Sequence, residues 1–151
     1  MAIFLQSLVI RSANITDWDM FYPFLDHDRP MDSLEAAFGR YQAKIHSDLH
    51  GVFVAELEGN VVGMAMAHVW DEFIMSGRKQ VRFSSLFVHP EFQRLGIGRA
   101  LFETTRAWAQ SIGGTWFEWY ASQSAVGFYE RLGYVGSVDA SPEHLYFEIK
   151  F

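Results

Sequence analysis

The stretch Val88-His89-Pro90-Glu91-Phe92-Gln93-Arg94-Leu95-Gly96-Ile97-Gly98-Arg99 carries the most pointed chemistry in the chain. An apolar run ends, a short loop holds two glycines two apart, and a helical period begins. Gly96 and Gly98 lack a Cβ, so main-chain N–H groups beside them can approach a bulky anion. A helix N-terminus adds partial positive charge and unpaired donors. Arg94 and Arg99 add formal charge. The pattern suits a pyrophosphate; its bland counterpart is a tight strand-to-helix turn with two solvated arginines. Two familiar phosphate loops do not fit. A P-loop needs a Gly-Lys pair that is missing, and the dinucleotide fingerprint needs a third glycine where Leu101 stands. That fingerprint also follows the first strand of its fold, whereas this motif lies about two-thirds along the chain.

Other chemistry-bearing residues are more ambiguous. Tyr129, in Ala125-Val126-Gly127-Phe128-Tyr129-Glu130-Arg131-Leu132-Gly133-Tyr134, is either a core ring or a proton donor. Glu118 lies among Trp116, Phe117 and Trp119. It is either a desolvated carboxylate with a raised pKa, suited to act as a base, or an exposed edge residue. His46 and His50 are spaced i,i+4, as metal ligands on one helix would be, but no Glu follows His46 and H-E-x-x-H fails. Surface histidines are the plainer reading, and no metal site is expected. Asp26-His27-Asp28 reads as a loop rim that can line a cationic entrance.

The elements that must position these residues follow from hydrophobic periodicity. Strands are predicted at Leu8–Arg11, Gly51–Leu57, Val61–Trp70, Val81–Val88, Thr115–Tyr120 and His144–Phe151. Glu58-Gly59-Asn60 joins the second and third as a hairpin. Asp71 to Lys79 reads as a polar loop. Asn14 to Asp17 offers caps for a helix carrying Trp18, Phe21, Tyr22 and Leu25, with Pro23 disturbing its middle. Ser33 caps a second helix with Leu34, Phe38, Tyr41 and Ile45 on one stripe. Gly98–Ile112 and Ser124–Leu132 are the remaining helices, stopped at Gly113-Gly114 and Gly133. The order β-α-α-β-β-β-α-β-α-β specifies a mixed α/β (α+β) domain. Its sheet is mostly antiparallel, six- to seven-stranded and flanked by about four helices. The unit from Val81 to Tyr120 is a right-handed parallel crossover.

The chain has 151 residues, half of them hydrophobic and 17% aromatic, so one domain spanning 1–151 with a real core is expected and disorder is excluded. Lys+Arg 12 against Asp+Glu 18 gives a net charge of −6, which disfavours nucleic acid and suits a cationic partner such as an amine. With no Cys, disulfides, thiolate zinc sites and thiol nucleophiles are impossible. No apolar run approaches the ~20 residues of a membrane span, and the N-terminus lacks a basic signal region. The expectation is a soluble, cytoplasmic protein with no membrane partner.

Taken together, Val88-His89-Pro90, Gln93-Arg94-Leu95-Gly96-Ile97-Gly98 and Ala125-Val126-Gly127-Phe128-Tyr129-Glu130 resemble the two signatures of the GNAT superfamily of N-acetyltransferases. These are V-x-P with [QR]-x-x-G-x-[GA], and A-x-x-F-Y-E. The resemblance implies a fold in which two parallel strands, Val81–Val88 and Thr115–Tyr120, splay apart around acetyl-CoA. It implies that main-chain groups of Leu86, Phe87 and Val88 pair with the pantetheine arm. Main-chain N–H groups of Gln93, Arg94, Leu95, Gly96, Ile97, Gly98 and Arg99 would hold the pyrophosphate. An N–H near Val88 would polarise the thioester carbonyl. Tyr129 matches the tyrosine that protonates the departing thiolate. Ser122 stands where the family often has a CoA-contacting Asn. Where family members often carry an acidic residue on the strand before L-x-V, this chain has Ser84 and Ser85. Glu118 is the substitute candidate for the base, with Asp71 and Glu72 behind it. The implied reaction is transfer of acetyl from acetyl-CoA to a primary amine, a small molecule, by direct attack in a ternary complex. The alternatives are a protein or peptide amine as acceptor, and a non-catalytic acyl-CoA sensor. A homodimer is expected from the same resemblance.

Overall fold

The computed structural model describes residues 7–25, 31–137 and 143–151, and Asp26-His27-Asp28 lies outside them. Six strands, β1 (Leu8–Ser12), β2 (His50–Leu57), β3 (Asn60–Glu72), β4 (Lys79–Val88), β5 (Trp116–Ser122) and β6 (His144–Lys150), stand side by side in chain order. Every neighbouring pair is antiparallel except β4 with β5. Ser137 adds an isolated bridge to Tyr146 beyond β6. The β2–β3 hairpin closes over Glu58 and Gly59, both left-handed at φ 51° and 81°.

The helices are α1 (Trp18–Phe21), α2 (Leu34–Ile45), α3 (Ile97–Ser111) and α4 (Gln123–Arg131). α1 is one turn, continued by tighter 3₁₀ turns at Ile15–Asp17 and Tyr22–Leu25. Pro23 explains the change, because it lacks the N–H that a regular helix needs there. Ser33 caps α2, accepting from the Ala36 N–H at 3.0 Å. Leu34 is half exposed, so the buried stripe of α2 starts at Ala37 and Phe38 rather than at its first residue.

Two predicted boundaries move. β3 runs on to Glu72 and β4 begins at Lys79, with Asp71 opposite Gln80, so Asp71 and Glu72 are strand residues rather than loop. Polarity there marks exposure of the hairpin's end, not loss of pairing. His46 and His50 do not share a helix, because His46 ends α2 and His50 opens β2. His50 instead lies opposite His68 on β3, the rings 5.9 Å apart. Among the described residues no group of three or more acids and histidines is placed to hold a metal ion, and no helix is long and apolar enough to cross a membrane.

The sheet has a core on each face. α3 and α4 cover one, over Phe83, Phe102, Phe117, Trp119, Phe147 and Tyr129. α1 and α2 cover β2 and β3 on the other, over Trp18, Phe21, Tyr41, Val54 and Met64, and Phe24 reaches Phe87 of β4. Arg11 ties this second layer to the sheet, forking onto Asp17 at 2.8 Å and reaching Glu56 at 2.8 Å. Burial alone would raise the Asp17 carboxyl, but Arg11 and the Asn14 N–H hold it below the ordinary carboxylate range.

Candidate functional site

β4 and β5 pair over three residues only: Gln80 with Trp116, Val81 with Phe117 and Arg82 with Glu118. Both strands continue beyond that rung, β4 to Val88 and β5 to Ser122, with no register between them. The cause is visible on the other side of β4. Met66 pairs with Ser85 and Ala67 with Phe83, so Ser84 is an extra residue, a bulge whose hydroxyl donates to the Met66 carbonyl at 3.2 Å. A bulge bends and twists its strand. It also resets which side chains face the α3 layer. Val81 and Phe83 point there before it, Leu86 and Val88 after it, and Phe87 points to the opposite layer.

A cavity of about 820 Å³ opens on the α3 side of this gap. Its walls are Leu86 and Val88 of β4, the loop from Gln93 to Arg99, and Ser124, Ala125, Phe128, Tyr129 and Arg131 of α4. Arg94 is left-handed at φ 64° and Gly96 at φ 85°. Left-handed residues at such a turn are what lets successive N–H groups form an anion-binding nest. Gly96 caps α3, and the N–H groups of Ile97, Gly98 and Arg99 start the helix with no intrahelical acceptor. A Cβ at Gly98 would come within 3.3 Å of the Phe128 ring, whereas one at Gly96 would meet nothing within 4 Å. Gly98 thus lets the helix start pack against Phe128, Gly96 supplies the left-handed turn, and the free N–H groups with the arginines suit a diphosphate in charge and donor count. Arg94, Arg99 and Arg131 line the cavity, and among the described residues none is in an ion pair. A chain of net charge −6 thus carries a local positive basin.

The predicted site residues divide by role. Leu86, Val88, Gln93, Arg94, Gly96, Gly98, Arg99 and Tyr129 line the cavity. Ile97 is buried and Leu95 packs on the core, so both can contribute only main chain. The Gln93 side chain is turned back, donating to the Val88 carbonyl at 2.9 Å and bracing the end of β4. Ser122 stands before α4, its hydroxyl 3.2 Å from that of Ser124, and Ser124 rather than Ser122 reaches the cavity. Phe87 faces Phe24 at 5.4 Å between ring centres.

Tyr129 is buried against Phe102, Trp119, Phe128 and Phe147, yet its hydroxyl donates to no described residue and the side chain lines the cavity. Burial pushes its phenol well above the ordinary value, so it stays protonated. Glu118 is 4% exposed and lies on the other face of the sheet, at the closed end of the gap. Its Oε1 accepts from Arg82 Nη2 at 2.6 Å and its Oε2 from the Tyr146 hydroxyl at 2.6 Å.

Sequence reasoning missed Arg131, Arg82 and Tyr146. Arg131 was within reach, since Ser124, Phe128 and Arg131 share one face of a helix at i, i+4 and i+7. Arg131→Glu is expected to weaken binding of a diphosphate-bearing ligand such as CoA about tenfold, the scale of one lost charge-assisted contact. The loss should shrink at high salt, and calorimetry at two ionic strengths checks both points.

The sequence pattern of the Acetyltransferase (GNAT) family matches residues 13–134. No curated protein matches the chain. Among solved structures, yncA from Salmonella typhimurium, described as a putative acetyltransferase with its cofactor acetyl-CoA, is 22% identical, with a TM-score of 0.73 over 95% of this chain and 94% of that one. Glucosamine-6-phosphate N-acetyltransferase from Arabidopsis thaliana is 21% identical, with a TM-score of 0.74 over 86% and 92%. A further Arabidopsis thaliana protein, in complex with the bisubstrate analogue CoA-Ac-MVNAL, is 14% identical, with a TM-score of 0.70 over 96% and 99%. These likenesses are of fold.

Proposed function

The chain belongs to the acetyltransferase (GNAT) family, and on that premise we propose that it moves the acetyl group of acetyl-CoA onto the primary amine of a small molecule. One observation carries the reading: β4 and β5 part at the Arg82–Glu118 rung, with an amide nest at one mouth of the gap and beside it a buried phenol that has no hydrogen-bond partner among the described residues. The nest and the three arginines suit the diphosphate end of CoA. The β5-facing edge of β4 from Leu86 to Val88, which β5 does not pair with while β3 holds the other edge, suits the pantetheine amides as an added strand would.

The chemistry is a direct displacement. The amine nitrogen bonds to the thioester carbonyl carbon and the carbon–sulfur bond breaks. The nitrogen gives up a proton and the sulfur takes one, so CoA leaves as a thiol. A main-chain N–H near Val88 stabilises the carbonyl oxygen as charge builds on it. With no Cys in the chain, no acyl-thioester forms on the protein. Tyr129 donates to the leaving sulfur. Glu118, held by Arg82 and Tyr146, takes the amine proton through water. An alkylammonium of pKa about 10 costs roughly 4 kcal/mol to deprotonate at pH 7, so this service matters. Glu118→Gln is expected to lower the alkaline-rising limb of kcat/KM by about a hundredfold, the usual scale of general-base help. A pH–rate series checks it.

A small acceptor is favoured over a peptide by a ring-lined cavity of about 270 Å³ on the acceptor face. Trp18, Phe21, Tyr22 and Tyr41 line it with Met66, the residue paired with Ser85 beside the bulge, and Arg40, paired with Asp32, and Lys44 complete its lining. Thiol release from acetyl-CoA over a panel of small amines and free-N-terminus peptides tests the reading. Turnover confined to small amines is expected. Tight CoA binding with no turnover on any acceptor would make the protein an acyl-CoA sensor.

A further inference from the structure

On the face opposite the CoA cavity, α1 and α2 pack on β2 and β3, Phe24 covers Phe87 near the end of β4, and the sheet surface around Arg82 and Tyr120 keeps part-exposed side chains. Arg82 stands in that surface at the rung where the strands part. Its guanidinium carbon lies 5.1 Å from the Trp70 ring centre and 5.4 Å from that of Tyr120. Each ring is 44% exposed. Nη2 donates to Glu118, which is fixed in turn by Tyr146, and Tyr146 also reaches Glu148 at 3.2 Å. A guanidinium carries five N–H donors. Here one is used: Nη1 donates to no described residue, and Nε is buried with no partner.

The arrangement is expensive for an ordinary surface arginine. Its head lies beside two rings and its pose is fixed by a buried carboxylate; Nε is itself buried, so the Nη groups are the donors left for a ligand. We propose that Arg82 binds a carboxylate carried by the acceptor, so that the acceptor is an amine with a carboxylate close by, as in an α-amino acid. This rests on the amine-acetylation reading and narrows it. A planar fork matches a carboxylate in geometry as an ammonium does not. The flanking rings hold the guanidinium plane by cation–π contact and so fix the direction of its free donors. A chain of net charge −6 repels simple anions, and the Arg82–Glu118 pair is itself neutral. A zwitterion meets neither obstacle. Because its amine sits one carbon from its carboxylate, anchoring the one on Arg82 holds the other at the strand gap.

The test pairs each common α-amino acid with its decarboxylated amine and its methyl ester. Binding to the CoA-saturated protein is measured by calorimetry, and acetyl transfer in parallel. At least one amino acid should bind about tenfold or more tighter than its decarboxylated partner, since a site built around a hydrogen-bonding group rejects analogues lacking it. Arg82→Lys, which keeps a charge beside Glu118, should remove most of that preference by raising KM for the carboxylated acceptor. Equal binding of the matched partners, no binding by any amino acid, or a preference intact in Arg82→Lys would overturn the assignment. A carboxylate preference in binding with no acetyl transfer would uphold Arg82 and sink the transferase reading instead.

Discussion

Gly96→Trp is expected to abolish saturable binding of CoA in a calorimetric titration, a loss of at least about a hundredfold, while the circular dichroism spectrum stays that of the wild type. Two effects add. Gly96 sits at φ 85°, a conformation that costs an L-residue about 1–2 kcal/mol. Its chain neighbours aside, no atom of the described residues lies within 4 Å of its Cβ position, and Gly96 lines the cavity, so an indole there adds its bulk at the wall of the ligand's space. The strain falls on an exposed loop, which is why the fold should survive it. The bulk falls on the nest, which is why binding should not. Gly96→Ala separates the two, since it keeps the strain and adds little volume, and it should cost no more than about tenfold on the scale of that strain. If Gly96→Trp bound CoA with wild-type affinity, the amides of this loop would not hold the diphosphate.

What the sequence discloses about this site is what lies close along the chain. The loop from Gln93 to Gly98 could be read because strand end, glycine spacing and helix start fall within a dozen residues, and the geometry of each depends on its neighbours. The same holds for Tyr129, whose place beside Phe128 and before Gly133 sets it on one turn of α4. The bulge at Ser84 is a different matter. It exists because Met66 pairs with Ser85 and Ala67 with Phe83, a register fixed by residues seventeen or so positions away. Nothing in Arg82-Phe83-Ser84-Ser85-Leu86 alone announces that the inward parity changes there. Glu118 shows the same limit from the side of chemistry. Its flanking rings suggested desolvation, and it is indeed buried, but its two donors come from β4 and β6. Only the register that brings Arg82 opposite Glu118, with Tyr146 on the neighbouring strand, reveals that this carboxylate is held as well as buried. His46 and His50 show the converse: i,i+4 spacing alone would share one helix face, but the missing H-E-x-x-H already argues against a metal pair, and the turn between α2 and β2 carries His50 into a strand.

Tyr129→Phe should cut kcat by about 10²–10³, within the range usual for a positioned proton donor, and leave the affinity for CoA and the melting temperature nearly unchanged. The ring is the part that packs, against Phe102, Trp119, Phe128 and Phe147, and phenylalanine keeps it. The hydroxyl makes no hydrogen bond to any described residue, so its removal orphans no partner. The cavity it lines offers it a partner in whatever group enters there. Burial raises the phenol's pKa, and the sign of that shift decides what it can do. A raised value keeps the proton on oxygen throughout the neutral and moderately alkaline range. The group is then always available as a donor to sulfur and never as a base toward the amine. It follows that the rising limb of the pH profile should keep its midpoint in Tyr129→Phe while its height falls, whereas Glu118→Gln should act on the limb itself. A group used only as the carbon–sulfur bond breaks should also lower kcat and kcat/KM alike. Steady-state kinetics over a pH series for both variants reads all of this. A Tyr129→Phe protein turning over at the wild-type rate would leave the phenol a packing residue and assign proton delivery to water.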